Sequence, residues 1–388
     1  MIKHISKNSW LFIVILSFLM ATTSLTTDIY LPAMPEIAKE LQGNSELTIT
    51  GFLIGFSLAQ LFWGPISDKI GRKKPLYLGV ALFIIGSIGC TFSTSMTELV
   101  VWRVFQAFGA CVGPMLSRAM IRDLFERSQA ASMLSTLAIV MAAAPIIAPL
   151  IGGQLILISS WRTIFGLITG IGVLMFLATM FLPETHTDDK RNKGPIVDSF
   201  KSYVMLLKNW GFMKYTLCVT FFYIGIYAFI AGSPAVYIEQ FGVSPAHYGY
   251  FFGLNIVGLA VMSAFNRRLV NVIRLENLLR YATWFALAAI LITVVLMLLG
   301  YTSLLLIVVG VFLFMSMNGI VAAVTNAIAL DKAGSVAGTA AALLGSLQYG
   351  SGIISTLLLA ALPSGSAWPM IGIIAVFAVL SAAVVLKD

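Results

Sequence analysis

Gly64-Pro65-Ile66-Ser67-Asp68-Lys69-Ile70-Gly71-Arg72-Lys73-Lys74-Pro75-Leu76 is a short polar stretch between two apolar runs, 48–63 before it and 76–90 after it. Runs of that kind read as membrane-buried helices, so the stretch is expected to be the turn that joins them. Gly64 and Gly71 suit a tight reversal where backbones approach closely, Asp68 is the one acid, and Lys69, Arg72, Lys73 and Lys74 crowd a few positions. Short loops this rich in Lys and Arg stay on the cytoplasmic side of a membrane. Any short cytoplasmic loop is basic, however, so it is the spacing of Gly, Asp, Gly, Arg and Lys that carries further information.

A chain of 388 residues that is 59% hydrophobic and only 10% charged, with a mean hydropathy of +0.95, lacks the polar surface of a soluble globule. At roughly 20 residues per span the apolar runs divide into twelve. Six, at 10–31, 48–63, 76–94, 98–116, 130–152 and 161–182, precede the longest polar interval. Six more follow it, at 212–236, 248–265, 278–299, 303–330, 336–362 and 368–386. The expected fold is therefore an all-α integral membrane protein of twelve transmembrane helices. Residues 1–182 form one six-helix bundle, 183–209 a cytoplasmic linker and 210–388 a second six-helix bundle, the pattern of a transporter with a substrate cavity between two halves. Gly51 and Gly55 before Asp68 recur at constant offset as Gly249 and Gly253 before Asn266 and Arg267, a faint internal repeat. Within the linker, 197–207 reads as a short amphipathic surface helix.

A net charge of +8 would suggest nucleic acid in a soluble protein. Here the basic residues fall in alternate loops, among them Lys3, Lys7, Lys190, Lys193, Lys332 and Lys387, so the charge reports orientation, with both termini cytoplasmic and no nucleic-acid partner. Cys90, Cys111 and Cys218 sit in apolar runs as packing residues. The basic start and the apolar run after it imitate a signal peptide, but the run leads into Asp28-Ile29-Tyr30-Leu31-Pro32, so a retained first helix is expected.

Residues 10–27 contain no other ionisable group, so Asp28 has no rival in the first span. A carboxylate in or near hydrocarbon costs roughly 2.5 to 3.5 kcal/mol on insertion scales, and burial favours its neutral form, which suits a proton carrier. The competing reading places Asp28 at the outer interface, where it merely ends the helix. Arg103, a few residues inside the fourth span, is expected at comparable depth and needs a partner; direct contact with Asp28 and a shared aqueous cavity both remain open. In the fifth span, Pro145 and Pro149 lie one turn apart ahead of Gly152 and Gly153, which predicts a kinked helix closely approached by a neighbour.

These motifs resemble known ones. Gly-Pro-Ile-Ser-Asp-x-x-Gly-Arg-Lys is similar to the signature between helices 2 and 3 of the major facilitator superfamily. Leu99-x-x-x-Arg103-x-x-Gln106-x-x-Gly109 resembles the helix 4 motif of its proton-coupled members, whose arginine faces the cavity and takes part in coupling. Ala144-Pro145 through Gly152-Gly153 resembles its antiporter motif, with Ala144 and Ala148 in place of glycines. Further stretches, Thr27-Asp28-Ile29-Tyr30-Leu31-Pro32, Arg122-Asp123-Leu124-Phe125, Trp161-Arg162, Leu182-Pro183-Glu184-Thr185 and Ala337-Gly338-Thr339-Ala340 leading to Gln348, are similar to the Bcr/CflA group of drug:proton antiporters. The resemblance implies proton-coupled efflux of small, largely apolar drugs such as chloramphenicol, bicyclomycin or sulfonamide-like compounds across the bacterial cytoplasmic (inner) membrane. The alternative within the class is export of an endogenous metabolite or siderophore.

On this reading Asp28 and Arg103 couple protons, while Tyr30, Gln106, Tyr227, Asn255, Asn318 and Gln348 are candidate cavity residues, each of which serves equally well as a polar bridge between helices. Gly64, Asp68, Gly71 and Arg72 form a conformational latch, in which Asp68 engages a helix N-terminus or an arginine such as Arg118 or Arg122. A membrane-embedded enzyme is the remote rival, and no catalytic constellation supports it: His4, His186 and His247 are scattered and no Gly-x-Ser-x-Gly occurs. No cofactor, metal site or nucleotide-binding loop is expected; the drive is the proton gradient, the partners are substrate, proton and bilayer, and the chain is expected to be a monomer.

Overall fold

The structure, a computed structural model, describes residues 9–189, 191, 197–362 and 365–386. His4, Lys3, Lys7, Lys190, Lys193 and Lys387 lie outside the described residues. In chain order the helices are α1 (Trp10–Asp28), α2 (Met34–Leu41), α3 (Glu46–Ile70), α4 (Lys73–Phe92), α5 (Met96–Ala110), α6 (Val112–Leu124), α7 (Arg127–Ile158), α8 (Trp161–Thr179) and α9 (Val197–Lys208). They continue as α10 (Trp210–Pro234), α11 (Pro245–Leu269), α12 (Leu275–Leu298), α13 (Leu304–Ser316), α14 (Asn318–Ala333), α15 (Ala337–Ala361) and α16 (Trp368–Val384). No strand occurs among the described residues. A helix satisfies its own backbone, which hydrocarbon cannot do for it.

Eleven helical stretches are long and apolar enough to cross a bilayer, and α16, at 17 residues, is at the short end of that range. Together they make the twelve spans of two six-helix bundles. Large apolar side chains lie exposed along them, such as Phe92, Ile158, Leu174 and Leu298. That surface suits lipid rather than water.

Local chemistry sets several helix ends. Ser95, Asn209 and Ser303 accept the backbone N–H of Glu98, Phe212 and Leu306, which caps α5, α10 and α13. Pro32 and Pro35 follow α1, where a short 3-10 turn at Leu31–Ala33 replaces the expected helical residues up to 31.

Three elements differ from the sequence expectation. The quoted turn is shorter than its polarity suggests: α3 runs to Ile70, so Gly64 through Ile70 are helical and only Gly71 and Arg72 make the reversal. Gly71 has φ +92°, which an L side chain rarely adopts, whereas a Cβ on Gly64 would meet nothing described within 4 Å. The fourth span is broken at Cys111 into α5 and α6 and continues to Leu124, well past 116. Finally, α7 carries both Pro145 and Pro149 and runs on to Ile158, past the expected end of the fifth span at 152.

The chain divides into two compact units, Met1–Ser199 and Phe200–Asp388. In the first, α5 packs against α3 and α4, α4 also against α8, and α1 against α6 and α7. At the end away from the basic turn, Glu40 ties the unit together: it accepts the Trp161 Nε1–H (2.7 Å) and pairs with Arg162, which also donates to the Ser93 carbonyl (3.0 Å). In the second unit α10 is central, packed on α14, α15 and α16, with α11 and α12 against α13.

Candidate functional site: buried charges of the first unit

Arg103 on α5 is completely buried. Its guanidinium lies over the rings of Tyr30 (4.4 Å to the centroid) and Phe52 (4.5 Å), with Phe165 at 5.8 Å. Nη1 donates to Gln106 Oε1 (2.7 Å) and to the Thr26 carbonyl (3.3 Å), and Nε donates to the Thr48 carbonyl (3.4 Å). Nη2 is buried without an acceptor among the described residues. No described carboxylate lies within 4.0 Å of Arg103, so Asp28 and Arg103 do not form an ion pair. The cation is held by ring faces, two carbonyls and one amide, interactions that a planar guanidinium makes and an ammonium does not reproduce.

Gln106 is oriented from both sides. Its Oε1 accepts from Arg103 while Nε2 donates to Ser87 Oγ (2.8 Å), which donates in turn to the Phe83 carbonyl (2.7 Å). Tyr30, also wholly buried, shares a hydrogen bond with Thr48 Oγ1 at 3.0 Å and packs on Phe165. Tyr30, Arg103 and Gln106 are thus brought together. Thr26, Thr48 and Ser87 complete the group; two of them serve through backbone carbonyls, for which a sequence carries no signal.

Asp28, the last residue of α1, is 5% exposed. Its one described side-chain partner is Thr27, whose Oγ1 stands 2.9 Å from Asp28 Oδ1. The same hydroxyl is also 3.0 Å from the Thr23 carbonyl and 3.2 Å from the Ser24 carbonyl. One hydroxyl proton serves one strong acceptor at a time. It can point to an ionised Asp28, or turn to a backbone carbonyl and accept from a protonated one. Gly152 of α7 presses on this corner: a Cβ there would fall 1.6 Å from the Ile29 carbonyl oxygen. Of the antiporter-motif residues, Gly153 and Pro149 are buried and Pro145 partly so.

A second cluster sits at the basic turn. Arg72 donates from Nη1 to Asp68 (2.5 Å) and Ser67 (2.8 Å), and from Nε to Asp123 Oδ2 (2.9 Å) with a longer second leg, Nη2 to Oδ1, at 3.4 Å. Burial opposes the charge on Arg72, but the hydrogen bonds it donates to Asp123 and Asp68 outweigh that and hold the guanidinium more firmly protonated than usual. Glu184 accepts the backbone N–H groups of Arg72 (2.8 Å) and Lys73 (3.1 Å), and so places a carboxylate at the N-terminus of α4. Gly64 and Gly71 flank this network without contributing side chains. Arg118 and Arg122, the expected partners of Asp68, are both exposed; the arginine that engages Asp68 is Arg72, and the acid that engages Arg72 from another helix is Asp123.

The candidates of the second unit are divided. Gln348 donates to Asn326 (3.2 Å), and the Tyr227 ring lies between those of Tyr223 (6.4 Å) and Tyr349 (6.3 Å), so α10, α14 and α15 share one polar and aromatic group. Asn255 spends its amide N–H on its own helix, at the Phe251 carbonyl (2.9 Å), and Asn318 opens α14. Neither Asn255 Oδ1 nor Asn318 Oδ1 has a donor among the described residues.

The chain as a whole is similar to known proteins. Residues 14–356 match the model of the Major Facilitator Superfamily. The chain is 33% identical, over 94% of its length and 92% of the relative's, to the "Bicyclomycin resistance protein homolog" of Haemophilus influenzae. It is 30% identical to "Multidrug resistance protein D" of Escherichia coli, over 89% of this chain and 87% of the other. Among solved structures, a D-xylose-proton symporter superposes with a TM-score of 0.77, covering 98% of both chains at 15% identity, a likeness of fold alone.

Proposed function

This chain belongs to the Major Facilitator Superfamily and is a multi-pass membrane transporter, and on that premise we propose that it exports small, largely apolar drugs in exchange for protons. The observation that carries the reading is Asp28: a buried carboxyl at the end of an apolar helix, served by a hydroxyl that suits either protonation state. Thr27 can turn its hydroxyl to suit Asp28 as alternating access lets the carboxyl take a proton on one side and give it up on the other. Arg103, held by Tyr30, Phe52 and Gln106, contributes a standing positive charge in the same unit without locking Asp28 in an ion pair. The names of the two relatives support drug export; chloramphenicol, bicyclomycin and sulfonamide-like compounds are the substrate class proposed here.

Alternating access supplies the transport step, with the basic turn on the cytoplasmic face of a bacterial inner membrane. In the network at that turn, Arg72 is committed within its own unit to Asp123 and Ser67, while the Asp68 side chain is 51% exposed. Asp68, which accepts from Arg72 at the exposed edge of the network, is therefore the member able to exchange that partner for another during the cycle, as a latch. Cells that carry the protein are expected to accumulate more chloramphenicol when a protonophore is added, with ATP maintained. Efflux that continues at the same rate without a proton gradient would exclude proton exchange, and failure to export any of the three drug types would favour an endogenous substrate.

A further inference from the structure

Trp161 opens α8 and is wholly buried, as is Phe165 one turn further along. The indole has a single donor, Nε1–H, and gives it to Glu40 Oε2 on α2 at 2.7 Å. Arg162 pairs with the other oxygen of Glu40, donates to the Ser93 carbonyl at the end of α4 and lays its guanidinium over the Trp161 ring, 4.2 Å from the centroid. Glu40 and Arg162 reach the surface; the indole they hold does not.

From Trp161 the contacts run inward ring by ring. Residues four apart share a helix face, and the Trp161 ring meets Phe165 edge-on, with centroids 6.0 Å apart and planes at 89°. Phe165 packs on Tyr30 at 5.7 Å, and the Arg103 guanidinium lies over Tyr30 at 4.4 Å. All three rings are fully buried, and a close-packed interior leaves little room for one to move alone. The hydroxyl bond to Thr48 fixes Tyr30 at its tip, whereas its tilt depends on packing against its side, a contact that Phe165 supplies.

We propose that Glu40 and Trp161 are positioning residues for Arg103: by accepting the indole N–H, Glu40 keeps Trp161 edge-on to Phe165, which keeps the Tyr30 ring beneath the guanidinium. Without that acceptor the N–H is left buried and unpaired, a state that favours turning the indole toward water. Phe165 and Tyr30 follow it, and Arg103 loses its fit on Tyr30 while retaining Gln106 and Phe52. The consequence for export rests on the part in proton exchange proposed above for Arg103; the positioning does not.

A proton over a ring face resonates upfield, so the Arg103 Nε–H reports the fit. In full-length, detergent-solubilised protein labelled with ¹⁵N at arginine, that resonance is assigned through Arg103→Lys. Glu40→Ala is expected to move it downfield, and to move it no further in a Phe165→Leu background. Ser303→Ala, which removes the cap of α13 in the second unit, is expected to leave it in place. A resonance that stays still in Glu40→Ala, that moves as far in the Phe165→Leu background, or that moves as far in Ser303→Ala overturns the proposal. If Phe165→Leu does not fold, Trp161→Phe takes its place: it lacks the indole N–H, so Glu40→Ala should again add no shift, and an added shift overturns the proposal. Movement of the resonance in Glu40→Ala with unchanged drug efflux would uphold the positioning and contradict the part of Arg103 in export.

Discussion

Arg103 combines full burial, a permanent charge and no carboxylate partner, so its stability comes from what surrounds it. Cation–π contacts contribute about 0.5 to 2 kcal/mol each when desolvated, and Arg103 makes two close ones, over Tyr30 and Phe52. Arg103→Lys keeps the charge but loses the planar fit to the rings, to Gln106 and to the carbonyls of Thr26 and Thr48. Loss of even about 1.4 kcal/mol corresponds to a tenfold effect. Drug efflux in Arg103→Lys cells should accordingly fall by roughly tenfold or more at unchanged membrane expression, and efflux equal to the parent would show that charge alone suffices. Asp28 and Arg103 were legible in the sequence as isolated ionisable residues in apolar runs. Their lack of direct contact was not legible, because the groups that satisfy Arg103 include backbone carbonyls of two other helical segments.

At the level of elements, α7 and α1 meet at Gly152 and the Ile29 carbonyl, one residue beyond Asp28. A helix approaching that closely fixes where the carboxyl sits, so the small residues of the fifth span act on Asp28 through packing. Gly152→Ala forces the two helices apart and should lower both thermal stability and transport. Gly64→Ala meets no described atom and replaces a poor helix former inside α3 with a good one, so its thermal stability should equal or exceed the parent's. The reverse ranking, measured by thermal unfolding in detergent, would contradict this account of the two glycines. The sequence marks both simply as motif glycines. It also shortens α3, because a run of polar residues reads as loop although Lys69 sits comfortably in a last helical turn. Asp123 and Glu184 appear in the sequence as parts of recognisable stretches, but their roles as partners of Arg72 span 51 and 112 residues, and only the fold brings them there.

For the whole molecule, composition alone decides that the chain lives in a membrane, and the length of its apolar runs decides the number of spans. The substrate is the part that neither sequence pattern nor fold specifies, since a mostly apolar and aromatic lining with a few polar groups suits many small molecules. Proton exchange can be tested without knowing the full substrate range. The most direct measurement is the release of protons into weakly buffered solution when chloramphenicol is added to detergent-solubilised protein. The parent should release protons on binding, and Asp28→Asn, which keeps the shape of the side chain but cannot titrate, should bind the drug and release none. Release of the same size from Asp28→Asn would mean that the proton is carried elsewhere.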